Sequence, residues 1–310
     1  MTSRPAEPWA GRPLLDIVSL ARRGPGRRDA FTRDEIALLH RTARGAPEVM
    51  VKVLRQAASD PKSVANHLAY LSRKGELELE TDDGESVKGA EAERELLEDW
   101  QLSSSGNRQY FDRRSRCGGQ PPRLVHKLMF SMPPGTPPDK VLEAVRNLAR
   151  EEFALQHRYA LVLHTDEPHP HVHVLVKALG EDGRRLNIKK PMLRRWRHDF
   201  ARHLRALGVA ANATDRAARL KPGRSAPDGI YRARERGASQ LPERPPEALA
   251  HHRLATQKRV TEGWRQLAAA VEAVGPPELR EAVRDFVQRS HEKPLRDPLR
   301  QPVRDSPQRE

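Results

Sequence analysis

A single cysteine, Cys117, stands in a chain of 310 residues. No internal disulfide framework is possible, and the chain suits a reducing compartment. Aromatic residues make up 5% and hydrophobic residues 37% of the sequence, against 32% charged. A core fits that composition, but not one running the full length. No apolar run approaches the roughly 20 residues that span a bilayer, so no membrane insertion is expected. The opening stretch MTSRPAEPWAGRP lacks the apolar segment of a secretory signal, and a cytoplasmic location is expected. Internal repeats, heptads, a Walker sequence and a GxGxxG turn are all missing. Their absence argues against solenoids, coiled coils and the common nucleotide cradles. Acidic residues are in deficit, 42 against 56 lysines and arginines, which leaves a formal net charge of +14. That balance favours a polyanionic partner, nucleic acid first and a membrane surface second.

Three segments follow from the punctuation. Residues 1–46 form a basic lead-in broken by proline and glycine, with RRGPGRR and a short helix over 32–44 that Thr32 and Glu35 can cap. Residues 47–216 carry alternating strand and helix signals. Residues 217–310 are basic and partly helical, with one long helix over 246–274 and a disordered tail. In the middle segment, strands are predicted over 49–54, 124–131, 159–163 and 171–176. A hairpin is predicted over 76–89, turning at Asp83-Gly84. Helices are predicted over 61–74 and 90–100, from 136 through Val141, Val145 and Leu148, and over 191–207. Asp60-Pro61 opens the first of them, and Thr136-Pro-Pro-Asp139 reads as a capping box for the third. The order β-α-β-β-α-β-α-β-β-α predicts an α+β fold, a largely antiparallel sheet with flanking helices.

The chemistry concentrates in residues 159–178, YALVLHTDEPHPHVHVLVKA. Two strand-forming runs flank a turn with two prolines. Side chains alternate along a strand. His171 and His173 therefore share one face, and Val172, Val174 and Val176 share the other. The valines suit the core, which leaves the histidines on the open side. His164 ends the preceding strand, and a hairpin brings it beside that pair. Three imidazoles with an open position are the donor set of a working metal site. Asp166 and Glu167 lie in the turn. The competing reading is a merely polar sheet face.

Helix 61–74 presents a second feature. Val64, Leu68 and Leu71 form its apolar stripe, and Tyr70 lies more than 90° away at about 100° per residue. Its neighbours on the wheel include Asn66, His67, Arg73 and Lys74. A tyrosine hydroxyl is a poor nucleophile until a base or nearby cations activate it. Here that task would fall to Arg73, Lys74 and a metal. An ordinary half-buried packing tyrosine is the alternative.

These residues resemble a known family, the conjugative relaxases of the HUH endonucleases, within the plasmid-mobilisation group that includes the T-DNA border endonuclease. The likeness covers about residues 49–216. HLAYLSRKGELELE is similar to the tyrosine motif, LVHKLMFSMPPGTPPDK to the second motif, and HTDEPHPHVHVLVKA to the third, H-x-D-x-x-x-x-H-x-H. The resemblance implies that Tyr70 is the nucleophile. His164, His171 and His173 would hold a divalent metal ion, Mg2+ or Mn2+. Asp166 would orient a ligand or help deprotonate Tyr70, and Ser131 would position phosphate or DNA. It further implies a single-stranded origin-of-transfer substrate nicked to a 5′-phosphotyrosine. Relaxosome accessory proteins and a type IV coupling protein would be the partners. Arg73, Lys74, Arg184, Arg185, Lys189 and Lys190 are candidate DNA contacts; a solvated basic loop is the rival for the last four. Lys177 stands where the family often has asparagine, and His169 is an extra histidine. Two other readings remain open. One is a metal-dependent nuclease that activates water, with Tyr70 a bystander. The other is a non-catalytic DNA-binding partner of a transfer complex.

Overall fold

The computed structural model describes residues 31–54, 59–89, 91–102, 123–220 and 247–292. RRGPGRR, Cys117 and the C-terminal tail lie outside them. Among the described residues, Pro47–Ala213 form one compact unit. The residues up to Ala46 and from Thr214 form another.

In the first unit, β1 (Met50–Val53) is followed by α2 (Pro61–Leu71), the hairpin strands β2 (Leu79–Thr81) and β3 (Ser86–Val87), and α3 (Ala92–Asp99). Then come β4 (Val125–Ser131), α4 (Pro138–Phe153), β5 (Tyr159–His164), β6 (His171–Lys177) and α5 (Lys190–Ala206). The six strands form one sheet in the order β1-β4-β6-β5-β2-β3. Every pairing is antiparallel. This is the expected α+β architecture.

Local chemistry explains where the helices begin. Asp60 caps α2 by accepting from the Ser63 amide at 2.8 Å, with proline in the first turn. The capping box expected at α4 does not form. Pro137 occupies the cap position without a side-chain bond. The Thr136 hydroxyl instead donates to the Pro133 carbonyl, 2.9 Å away, closing the turn that leaves β4. The helix starts one residue later than a Thr136 cap requires, and the threonine hydroxyl closes the preceding turn instead.

The sheet separates two apolar layers. Val172, Val174 and Val176 face α4 and α5. There the scarce aromatics gather, with Phe130 against Phe200 at 5.4 Å and Phe153 against Trp196 at 5.5 Å, both edge to face. On the opposite face, Val64, Leu68 and Leu71 of α2 and Leu96 of α3 pack on Val125, Ala160, Val162 and Leu175. By register, these four strand residues share the face of His171 and His173. The histidine face is therefore not open along its length, as alternation alone led us to expect. Helices cover its apolar end, and the histidines sit where α2 stops.

In the second unit, α1 (Arg33–Ala43) belongs with α6 (Glu247–Val274) and α7 (Pro277–Glu292). Leu39, Trp264, Leu267, Val271, Leu279 and Val283 form their common core. The Thr32–Glu35 capping box is present. Helix α7 was not foreseen, because Pro276-Pro277 reads as a stop. A proline at the first helical position opens a helix equally well. Among the described residues, no helix is long and apolar enough to cross a membrane.

Candidate metal and nucleophile site

Register brings the three histidines together. His164 pairs directly with His171 across β5 and β6, and His173 follows two residues later on the same face. Ring centroids lie 4.8–5.2 Å apart. One nitrogen from each ring falls within 4.8 Å of the other two. His164 and His173 are buried and His171 is half-buried.

The remaining ring nitrogens decide whether this set suits a metal. His164 donates its Nε2–H to the Leu71 carbonyl at 2.9 Å, which leaves Nδ1 as a lone pair. His171 donates its Nδ1–H to the His169 carbonyl at 3.0 Å, which leaves Nε2. The Nδ1 of His173 is buried without any hydrogen-bond partner. Metal-binding histidines commonly spend one nitrogen on a backbone carbonyl in this way, fixing tautomer and ring plane. Burial pushes His173 down to about 3, helped by His164 and His171. Burial likewise lowers His164, against the Leu71 hydrogen bond. Both rings are therefore neutral near pH 7, with lone pairs free for coordination. The residues fit a divalent ion.

The Leu71 carbonyl also fixes the tyrosine. Leu71 is the last residue of α2, and Tyr70 precedes it with 62% of its surface exposed. After the helix, Arg73, Lys74 and Gly75 all take left-handed conformations, with φ of 53°, 58° and 89°. Two non-glycine residues in a row there are uncommon, and such strain gathers at functional sites. Arg73 is held over the Tyr70 ring, its guanidinium carbon 5.7 Å from the centroid. Its Nη2 also pairs with Asp166 Oδ2. The other oxygen of Asp166 lies 3.8 Å from His164 Nδ1, beyond hydrogen-bond reach. Tyr70, Arg73, Asp166 and the triad thus form one cluster. Ser131 joins it, pairing with His171 across β4 and β6.

Other expected site residues fall elsewhere. Arg184 and Arg185 follow the Lys177 end of β6, about 20 Å from His171 at the usual strand rise. Arg185 contacts the Arg123 carbonyl there. Lys189 and Lys190 start α5 shortly after. Lys177 pairs with Glu181 at 3.1 Å, at the same far end. His169 is exposed and serves through its carbonyl. Two residues near the triad were not foreseen. His67 lies on α2 with its ring near-parallel to Tyr70 at 6.3 Å, and Lys127 is buried within β4.

Residues 70–208 match the family described as Relaxase: MobA/VirD2-like, nuclease domain. The match supports a relaxase or mobilisation nuclease. The chain is 29% identical over 170 residues to a T-DNA border endonuclease, VirD2, of Rhizobium radiobacter, covering 51% of this chain and 39% of that protein. It is 27% identical over 192 residues to the VirD2 of Rhizobium rhizogenes, covering 58% and 43%. The chain therefore spans about two-fifths of the length of these curated relatives. A solved chain described under "Molecular Basis of Vancomycin Resistance Transfer in Staphylococcus aureus" is 15% identical, covering 55% of this chain and 98% of that one. Its TM-score is 0.32, too low to carry an argument. The relaxase match begins at Tyr70 and includes the triad, Asp166 and Ser131.

Proposed function

We propose that this relaxase domain, within residues 47–216, nicks one DNA strand at an origin of transfer and stays joined to it through Tyr70. The observation that carries the reading is the Leu71–His164 hydrogen bond, which ties the helix bearing Tyr70 to the triad. The Tyr70 hydroxyl gives up its proton as its oxygen bonds to phosphorus, and the bond from phosphorus to the 3′ oxygen breaks. The leaving 3′ oxygen takes up a proton, and the 5′ phosphate remains on the tyrosine. His164, His171 and His173 would hold Mg2+ or Mn2+. Bound there, such an ion polarises a non-bridging phosphate oxygen and offsets charge building at phosphorus. Asp166 acts through Arg73, steadying that guanidinium over the Tyr70 ring. Ser131 and Lys74 flank the path of the strand. Reversal of the reaction would religate the DNA.

The substrate on this reading is single-stranded origin DNA, with relaxosome accessory proteins and a type IV coupling protein as partners in conjugative or mobilised transfer. The basic composition supports a nucleic-acid substrate. The names of the curated relatives support nicking at a transfer border. The test is incubation of wild type and Tyr70→Phe with labelled single-stranded origin DNA and Mg2+ or Mn2+, resolved on a denaturing protein gel. Label on the wild-type protein, dependent on metal and lost in Tyr70→Phe, is the expected result. Cleavage that survives Tyr70→Phe without an adduct would move the protein to the nucleases that activate water.

A further inference from the structure

Lys127 lies in the middle of β4 and is 4% exposed. Lysine is almost never buried without a counter-charge. Among the described residues, nothing accepts from its ammonium, and no carboxylate acts on it. Desolvation alone pushes the group below its ordinary value.

The strand register shows which way it points. Lys127 pairs with Leu175 and shares a face with Met129, which pairs with His173. It therefore lies on the triad's face, its Cα about 8 Å from that of His173 at ordinary strand spacings. Lys52 of β1 pairs with Met129, so it is on this face too, and it is exposed. Above the sheet, His67 of α2 is close enough for Lys127 to act on it. His67 is 8% exposed and its Nε2 is buried without a partner. Burial, then Lys127, pushes its imidazole down to about 4. A cation and an unpaired imidazole are thus packed together beside the triad with no acid between them. An aliphatic residue would fill the same strand position without that desolvation cost.

We infer that Lys127 is a receptor for a backbone phosphate of the single-stranded DNA, at a position next to the phosphate attacked by Tyr70. The inference rests on the function proposed above and adds a specific contact to it. With Arg73 and Lys74 at the Tyr70 side of the triad and Lys127 and Lys52 at the other, the strand would cross the triad between two cationic stations. Lys127 holds the register of the strand, whereas the exposed lysine adds non-specific attraction.

The test is binding of a labelled single-stranded oligonucleotide to the full chain without divalent metal, followed by anisotropy across a range of salt concentrations. Wild type is compared with Lys127→Met, Lys127→Gln and Lys127→Arg, and the thermal midpoint of each is recorded. Each single-strand phosphate contact contributes about 0.7 to the slope of log affinity against log salt. Lys127→Met and Lys127→Gln are expected to flatten the slope by about 0.7, with thermal midpoints unchanged or raised; Lys127→Arg keeps the slope. An unchanged slope in both neutral variants overturns the inference. So does a lowered midpoint with no change in slope, which would make Lys127 structural. In either case an adduct on Tyr70 would leave the proposed function standing. Failure of the wild type to bind single-stranded DNA would overturn both.

Discussion

Acid should loosen the sheet through His126, and the size of the effect can be worked out. His126 projects from β4 on the face away from the triad and is 9% exposed. Its Nε2–H donates to the Leu186 carbonyl at 2.9 Å, while its Nδ1 is buried without a partner. Protonation would add a second N–H with no acceptor, beside Arg123, Arg185 and His157. Burial, with smaller contributions from those three, holds the ring down to about 4 against an ordinary 6.5. The unfolded chain therefore binds this proton more readily than the native one. Stability from the neutral ring is fully present above pH 6.5 and is lost as pH falls toward 4. Linkage gives a loss of about 2 kcal/mol between pH 7.5 and 5, and about 3 kcal/mol by pH 4. Glutamine places an amide N–H where the histidine has Nε2–H but does not titrate. Hydrogen exchange of the β4 and β6 amides would follow opening of this sheet separately from the helical unit. His126→Gln should be less stable than or equal to wild type at pH 7.5, and should gain about 2 kcal/mol on it at pH 5. The reasoning is refuted if the difference between the two proteins is the same at both pH values.

Two further outcomes are expected. On α2, Leu68 is fully buried and Tyr70 is 62% exposed. Leu68→Ala should therefore destabilise by about 2–5 kcal/mol, whereas Tyr70→Ala should stay within about 0.5 kcal/mol while removing the adduct. Denaturant titration of the two variants separates the packing residue from the functional one. Metal binding should be visible without DNA. An ion at a hundredfold excess over its Kd adds about 2.7 kcal/mol of stability. Mn2+ should raise the thermal midpoint of wild type and not of His171→Ala, whose half-buried ring contributes little packing. An equal rise in both would place the metal elsewhere.

Much of this molecule is legible in its sequence, because the signals are local. The alternation HVHVLVK assigns His171 and His173 to one face, since side chains on a strand repeat every two residues. The position of Tyr70 off the Val64-Leu68-Leu71 stripe predicts its exposure, because a helix repeats every 3.6 residues. The element order of the first unit follows from the same two periods and from turn residues. Lys127 was also legible in principle: a lysine inside the apolar strand VHKLMFS breaks the pattern. Periodicity says which face a residue takes, not which element covers that face. Pairing between distant segments is not encoded in any window, so the sheet order β1-β4-β6-β5-β2-β3 belongs to the tertiary structure. That order set Ser131 beside His171 and left Arg184 and Arg185 at the other end of β6. Packing alone put α1 with the C-terminal helices, and let the Leu71 carbonyl choose which nitrogen His164 keeps free. The sequence by itself determined the chemistry available and the face it occupies. Only the folded chain decided which of those groups meet, because contacts between remote segments depend on complementary surfaces that neither segment carries alone.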